Sequence, residues 1–226
     1  MNKLDHLIID DVEYKTDHLL DLSLVIDVIF ENGDTRAITV HIRPTNHLIS
    51  RKVTDIDFTM RADIEAQGRW LKSYVHYEGK YQMVIPPKKI KEHRIFCENK
   101  WQDSFLLPDF IDLITKNPSL VTVLANSGDE KTCLSGILTI ENQPDKAYLV
   151  FFKLTKVNSK EANMLIESAY CVDPQKDKKC QKLLSPRQHN AKTFILILKN
   201  VMEGRKPMES KKYKVRSGKR RNKIKR

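Results

Sequence analysis

The chain has 226 residues, with 40 Lys and Arg against 29 Asp and Glu, for a net charge of +11. With 40% hydrophobic residues it can bury a core, which excludes a fully disordered chain, and its length fits one large domain or two small ones. No stretch approaches the ~18 consecutive apolar residues of a membrane span. The longest apolar run is Ala147 to Phe152. No apolar core follows the lysine of Met1 to His6, so no secretory signal is expected and a cytoplasmic protein is.

In chain order, Leu22 to Val28 is a strand candidate and Glu31-Asn32-Gly33-Asp34 a turn, because Asn-Gly supplies the positive backbone angles of a tight hairpin. The return strand is Arg36 to Arg43, with Ala37, Thr39 and His41 alternating against Ile38, Val40 and Ile42, and Pro44 ends it. A second hairpin is expected from Ser73–Tyr77, a turn at Glu78-Gly79-Lys80, and Tyr81–Ile85. Arg94 to Cys97 reads as a short strand. Pro108 opens a helix with acidic residues in its first turn, and Asn117-Pro118 closes it. Four strand candidates follow: Leu120–Ala125, Cys133–Glu141, Ala147–Thr155 and Met164–Val172. Pro186 to Met202 reads as a helix, with Ser185 as its N-cap.

The expected fold is α+β with a largely antiparallel sheet: N-terminal hairpins, a helix, a four-stranded meander and a C-terminal helix. The globular region is expected over 1–202, with a subdivision into 1–90 and 91–202 left open. Residues 203–226 hold 12 basic and 2 acidic residues, a net +10, which leaves 28 basic and 27 acidic residues in 1–202. This segment reads as a flexible polybasic tail suited to polyanions, with Lys219, Arg220 and Arg221 among its binding residues. A merely solubilising tail is the alternative. A membrane role would want interleaved apolar residues, and only Tyr213, Val215 and Ile224 are on offer.

The four cysteines (Cys97, Cys133, Cys171 and Cys180) show no zinc-knuckle spacing, so reduced, mainly core thiols are expected. His41 and His47 with Cys97 or His93 match no recognised ligand pattern, so no metal and no cofactor are expected. Phosphate-binding glycine loops, a Gly-x-Ser-x-Gly elbow and closely paired acidic residues after a strand are all missing.

Four segments can carry chemistry. His41-Ile42-Arg43-Pro44-Thr45-Asn46-His47 through Arg51 gathers two histidines and two arginines at one strand end. Histidine transfers protons near neutral pH and arginine grips phosphate, although a polar strand end explains the same residues. Arg94 to Cys97 with Trp101 offers a positioning arginine and an indole that is either core or base-stacking. In Ile166-Glu167-Ser168-Ala169-Tyr170, strand alternation puts Glu167 and Ala169 on one face and Ile166, Ser168 and Tyr170 on the other, beside Lys153. Arg187 follows Ser185-Pro186 at the expected helix start, where phosphate is favoured.

Val40 to about Val201 resembles uncharacterised bacterial and phage-borne proteins. The matching pieces are Val40–Arg51, the Arg94-Ile95-Phe96-Cys97 and Ser104–Pro108 segment, and Phe151-Phe152-Lys153 followed by Glu167–Tyr170. The last piece resembles the closing strand of the barnase, EndoU, colicin and RelE-type ribonuclease superfamily. The resemblance implies a helix followed by a four-stranded antiparallel sheet, and metal-independent RNA cleavage by a toxin or phage-defence protein with an antitoxin or immunity partner. Catalytic residues vary among its members, so it assigns no particular acid or base.

The expected function is therefore an endoribonuclease in which a ribose 2′-hydroxyl attacks the adjacent phosphate. His41 or His47 serves as base or acid, and Ser168 and Tyr170 position the phosphate. Arg43, Arg51, Arg94, Lys153 and Arg187 bind it. A non-catalytic RNA- or DNA-binding protein using the basic tail is the alternative, and a protein-interaction module with a solubilising tail is the third reading.

Overall fold

A computed structural model describes residues 6–76, 92–125, 133–141, 143–185 and 191–209. The chain opens with a hairpin, β1 (His6–Ile9) and β2 (Val12–Lys15), that the sequence did not announce. Its two-residue turn is Asp10-Asp11, both at positive φ (48° and 63°), a backbone shape usually taken by Asn-Gly. β3 (Ser23–Ile29) and β4 (Thr35–Pro44) form the expected hairpin and turn Leu24, Ile26, Val28, Ile38, Val40 and Ile42 inward. Phe30 N–H donates to the Asp34 carbonyl, so the loop has three residues, and only Gly33 carries the positive φ (86°).

A 3-10 turn (Asn46–Leu48) leads to β5 (Ser50–Lys52), α1 (Asp55–Thr59), α2 (Arg61–Ala66) and β6 (Trp70–Lys72). The strand expected over Ser73–Tyr77 is reduced to a single bridge, Val75 to Thr45, and Tyr77–Ile85 lies outside the described residues. β7 (His93–Phe96) pairs between β5 and β6 in a three-stranded antiparallel sheet.

Two helices follow, α3 (Glu98–Ser104) and α4 (Leu107–Lys116). Only α4 was expected, because the polar stretch of α3 has neither a proline start nor an apolar stripe. Strands β8 (Thr122–Ala125), β9 (Leu134–Thr139), β10 (Ala147–Lys156) and β11 (Glu161–Val172) pair in sequence. The sheet they enter is mixed rather than the expected meander alone. Its order is β12-β8-β9-β10-β11-β4-β3, where β12 is Ala191–Thr193, and β11 runs parallel to β4. The β3–β4 hairpin and the later strands therefore share one sheet, while β1 and β2 form a separate two-stranded one.

The C-terminal helix expected from Pro186 begins only at Phe194: α6 is Phe194–Met202. Ser185 closes α5 (Lys178–Leu184) instead of capping the next helix, and residues 186–190, with Arg187, lie outside the described residues. The first residues of the segment expected to be flexible, 203–209, are described. Asn200 Nδ2 donates to the carbonyls of Pro207 (2.8 Å) and Glu209 (3.1 Å), and Pro207 is buried, so 203–209 packs on the body. Residues 210–226, with Lys219, Arg220 and Arg221, lie outside the described residues.

One face of the large sheet carries the main core. Phe110 and Ile114 of α4 and Phe194, Ile197 and Leu198 of α6 pack on Ile38, Val40, Tyr148, Val150 and Phe152. Gly136 is required here, because a Cβ at that position would lie 2.8 Å from the Phe110 ring. The opposite face is partly covered by α5, whose Leu183 packs with Leu124 and Leu149. Among the described residues the rest of that face is open, with Phe151 and Lys153 half-buried, and it positions the candidate site.

Candidate functional site

A single irregularity in β11 sets the site. Phe151 pairs with Ser168 but the next residue, Phe152, pairs with Ile166, which leaves Glu167 as an extra residue in a β-bulge. Before the bulge, Ala162, Met164 and Ile166 point into the core; after it, Ala169 does. Ser168 and Tyr170 therefore share the open face with Glu167, whereas strict alternation had placed them with Ile166. The strand-period reading failed because it had no signal for the inserted residue.

Past Ile166, β11 loses its β4 neighbour, and the 3-10 turn and α3 line its edge. The Asp103 carboxylate of α3 accepts the Cys171 N–H (2.9 Å), a backbone donor that β4 no longer reaches. This docking aims Lys100, one helical turn earlier, across the edge. Its Nζ donates to the carbonyl of His47 and to Ser168 Oγ (3.2 Å), and lies 5.5 Å from the centre of the Tyr170 ring. Burial, aided by the Arg94 charge, brings the Lys100 ammonium down to about 8.

His47 sits on the 3-10 turn, with Nε2 2.9 Å from Ser73 Oγ and 3.6 Å from Glu92. Burial and then the Arg94 charge hold its pKa at about 4, so the ring is neutral at physiological pH. Arg94 is itself committed: it donates to Glu92 (2.8 Å), Ser50 Oγ (2.8 Å) and the Ser50 carbonyl (3.0 Å). It acts on the site through its field rather than as a free phosphate fork. Lys153 ion-pairs with Glu167 (2.8 Å), and Cys133 Sγ donates to the other oxygen of that carboxylate (3.1 Å). The Tyr170 ring stacks on Phe151 at 5.7 Å, and Lys179 of α5 covers Phe151 at 4.6 Å.

Of the residues expected in the site, the fold thus gathers His47, Ser168, Tyr170, Lys153 and Arg94. His41 lies elsewhere. It aligns with Asn163, five residues before Ser168 along β11, roughly 15 Å away at the usual rise, and faces Glu161 at 3.5 Å. Arg43 is buried beside Leu165. Arg51 makes a bidentate pair with Asp57 (2.6 and 2.7 Å) in the capping box of α1, on the three-stranded sheet. Trp101 packs against the main core and donates to the Lys15 carbonyl. Cys180 is buried, while Cys97, Cys133 and Cys171 are half-buried, and all four thiols are free.

Sequence reasoning missed Lys100, Glu92, Ser73 and Lys179. No local pattern marks them: Ser73 and Glu92 meet at His47, while Lys100 and Lys179 reach Ser168 and Phe151 from two separate helices. Glu167 stood in a quoted segment but received no role, and the bulge that gives it one is a tertiary feature. Among the described residues, no group of three or more His, Cys, Asp or Glu is placed to hold a metal ion. No described helix is long and apolar enough to cross a membrane.

The model of the YjaZ family matches residues 6–202, which is every described element of the fold up to the end of α6. The chain belongs to the YjaZ family. No curated protein and no solved structure matches it. The matched span includes all the residues gathered at the β11 bulge and stops before the polybasic segment.

Proposed function

We propose that the chain is a metal-independent endoribonuclease whose reaction takes place at the β11 bulge. The observation that carries this reading is the contact of Lys100 Nζ, a group that titrates near neutral pH, with Ser168 Oγ and with the His47 carbonyl, beside the bulged Glu167 that Lys153 pairs with.

Cleavage by 2′-hydroxyl attack needs a proton acceptor, a proton donor for the leaving 5′-oxygen and positive charge around the phosphate. His47 supplies an unprotonated imidazole over the whole neutral range. Lys100, mostly protonated at pH 7, supplies the acid and also neutralises charge. Lys153 and the hydroxyls of Ser168 and Tyr170 hold the non-bridging oxygens. Burial raises the Tyr170 pKa, so its phenol stays a hydrogen-bond donor. The basic tail holds the RNA by charge alone. In this scheme His41, expected as an alternative acid or base, has no catalytic part.

A second reading, a non-catalytic RNA- or DNA-binding protein, draws on the net +10 of residues 203–226. Induced expression of wild type, His41→Ala and His47→Ala, with growth and total RNA followed together, separates the two. The nuclease reading expects arrest and RNA fragments from wild type and His41→Ala, and neither from His47→Ala. Intact RNA from all three would leave the binding reading. Arrest by the wild type would also give a means of selecting an antitoxin or immunity partner.

A further inference from the structure

The Ser168–Lys100 pair has a chemical capacity that holding a phosphate does not use. Ser168 Oγ lies 3.2 Å from Lys100 Nζ, within reach for direct proton transfer. The two partners that hold Lys100 are a backbone carbonyl and this hydroxyl; no carboxylate is ion-paired with it among the described residues. An amine so placed loses its proton more easily than an exposed lysine, and burial with the Arg94 charge draws it to about 8. The bulge turns Ser168 to the open face, where the walls are the Phe151 and Tyr170 rings and the cations Lys153 and Lys179.

We infer that Ser168 is a nucleophile activated by Lys100, able to attack esters or other activated acyl groups that carry an anionic or aromatic portion. Serine–lysine pairs recur as nucleophile and base in acyl transfer. In the first step the neutral Lys100 amine takes the Ser168 proton as Oγ bonds to the carbonyl carbon. The resulting ammonium and Lys153 balance the oxyanion. Collapse breaks the bond to the leaving group, which takes the proton back from Lys100 and departs as an alcohol. Water, deprotonated by the same amine, then releases the acid and restores Ser168. The inference uses the same side chains as the ribonuclease reading but breaks a different bond, so either can stand without the other.

The test is a fluorophosphonate probe on the full chain, read by intact mass and peptide mapping across pH 5.5–9.5, with RNA cleavage measured on the same preparations. The expected result is one adduct, on Ser168, forming about tenfold faster per pH unit until it levels near pH 8. Lys100→Arg keeps the charge but not the base, and should slow labelling at least ~100-fold. Ser168→Ala should abolish it. Absence of an adduct on Ser168, or labelling of Lys100→Arg at the wild-type rate, overturns the inference. RNA cleavage without Ser168 labelling would sink this inference alone, and Ser168 labelling beside intact RNA would sink the ribonuclease reading alone.

Discussion

Lys100 of α3 and Ser168 of β11 lie 68 residues apart in sequence and 3.2 Å apart in space. Two features bring them together. The bulge at Glu167 turns Ser168 outward, and the Asp103 carboxylate clamps α3 against the strand edge that β4 has left. The rest of the site is built around this contact.

RNA cleavage should follow a bell-shaped pH profile set by this pair of environments. The base limb belongs to His47, unprotonated above about 4, and the acid limb to Lys100, protonated below about 8. A broad plateau between pH 5 and 7.5 is expected in initial rates. A sharp optimum with a rising limb near 6.5 would point to an unperturbed histidine, and therefore away from His47.

Glu167→Gln should tighten nucleic-acid binding. The carboxylate offsets part of the Lys153 charge at 2.8 Å, and removing it strengthens that lysine's hold on phosphate. The slope of log affinity against log salt should steepen by up to the worth of one phosphate contact, about 0.9 on a duplex or about 0.7 on a single strand. Titrations at several salt concentrations read this directly. An unchanged slope would place Lys153 off the nucleic-acid path.

These predictions rest on parts of the molecule that were unevenly legible in the sequence. The alternation of Ile38, Val40 and Ile42 with Ala37, Thr39 and His41, the turn at Gly33 and the apolar blocks of β8 to β11 are local signals and located the strands, although the period of β11 was lost at its bulge. The parallel pairing of β4 with β11 is not a local property, because it depends on where a long connection returns. The site divides the same way. Ser168, Tyr170 and His47 could be picked out by chemistry, whereas Lys100 and Glu92 acquire meaning only through the docking of α3 and the three-stranded sheet. His41 and Arg51 misled because a dense run of polar residues was read as one site. The chain turns between them, sending Arg51 to Asp57 and His41 towards Glu161.

Acid should destabilise the fold well before the carboxylates titrate. Buried His76 has its pKa lowered from 6.5 to about 4 by burial, aided by His18, which is lowered to about 4 as well. Because the folded pKa lies below the unfolded one, the stability is fully present above pH 6.5. It is lost as pH falls towards 4, when the unfolded chain binds protons that the folded chain refuses. For His76 alone the loss is on the order of 3 kcal/mol. Urea unfolding at pH 7.5, 6, 5 and 4.5 should show a falling midpoint, and His76→Leu should flatten the decline.

Asp57 ties α1 to the three-stranded sheet. It accepts from Thr54 N–H and Oγ1 (both 2.7 Å) and from both terminal nitrogens of Arg51. These donors hold its carboxyl well below the usual range. Asp57→Ala should cost about 1–2 kcal/mol, the worth of a lost cap plus a partly exposed ion pair. RNA cleavage should be unaffected, since Arg51 lies off the candidate site. Thermal melts beside a cleavage assay check both halves.

The central claim is that RNA is cut at the Lys100–Ser168 contact without a metal. The most direct measurement is incubation of purified protein with a labelled single-stranded RNA in excess EDTA, wild type beside Lys100→Met, with the product ends identified. The account predicts fragments ending in 2′,3′-cyclic phosphate from the wild type and a rate at least ~100-fold lower from the variant. Intact RNA from folded wild type, or equal cleavage by Lys100→Met, would contradict it.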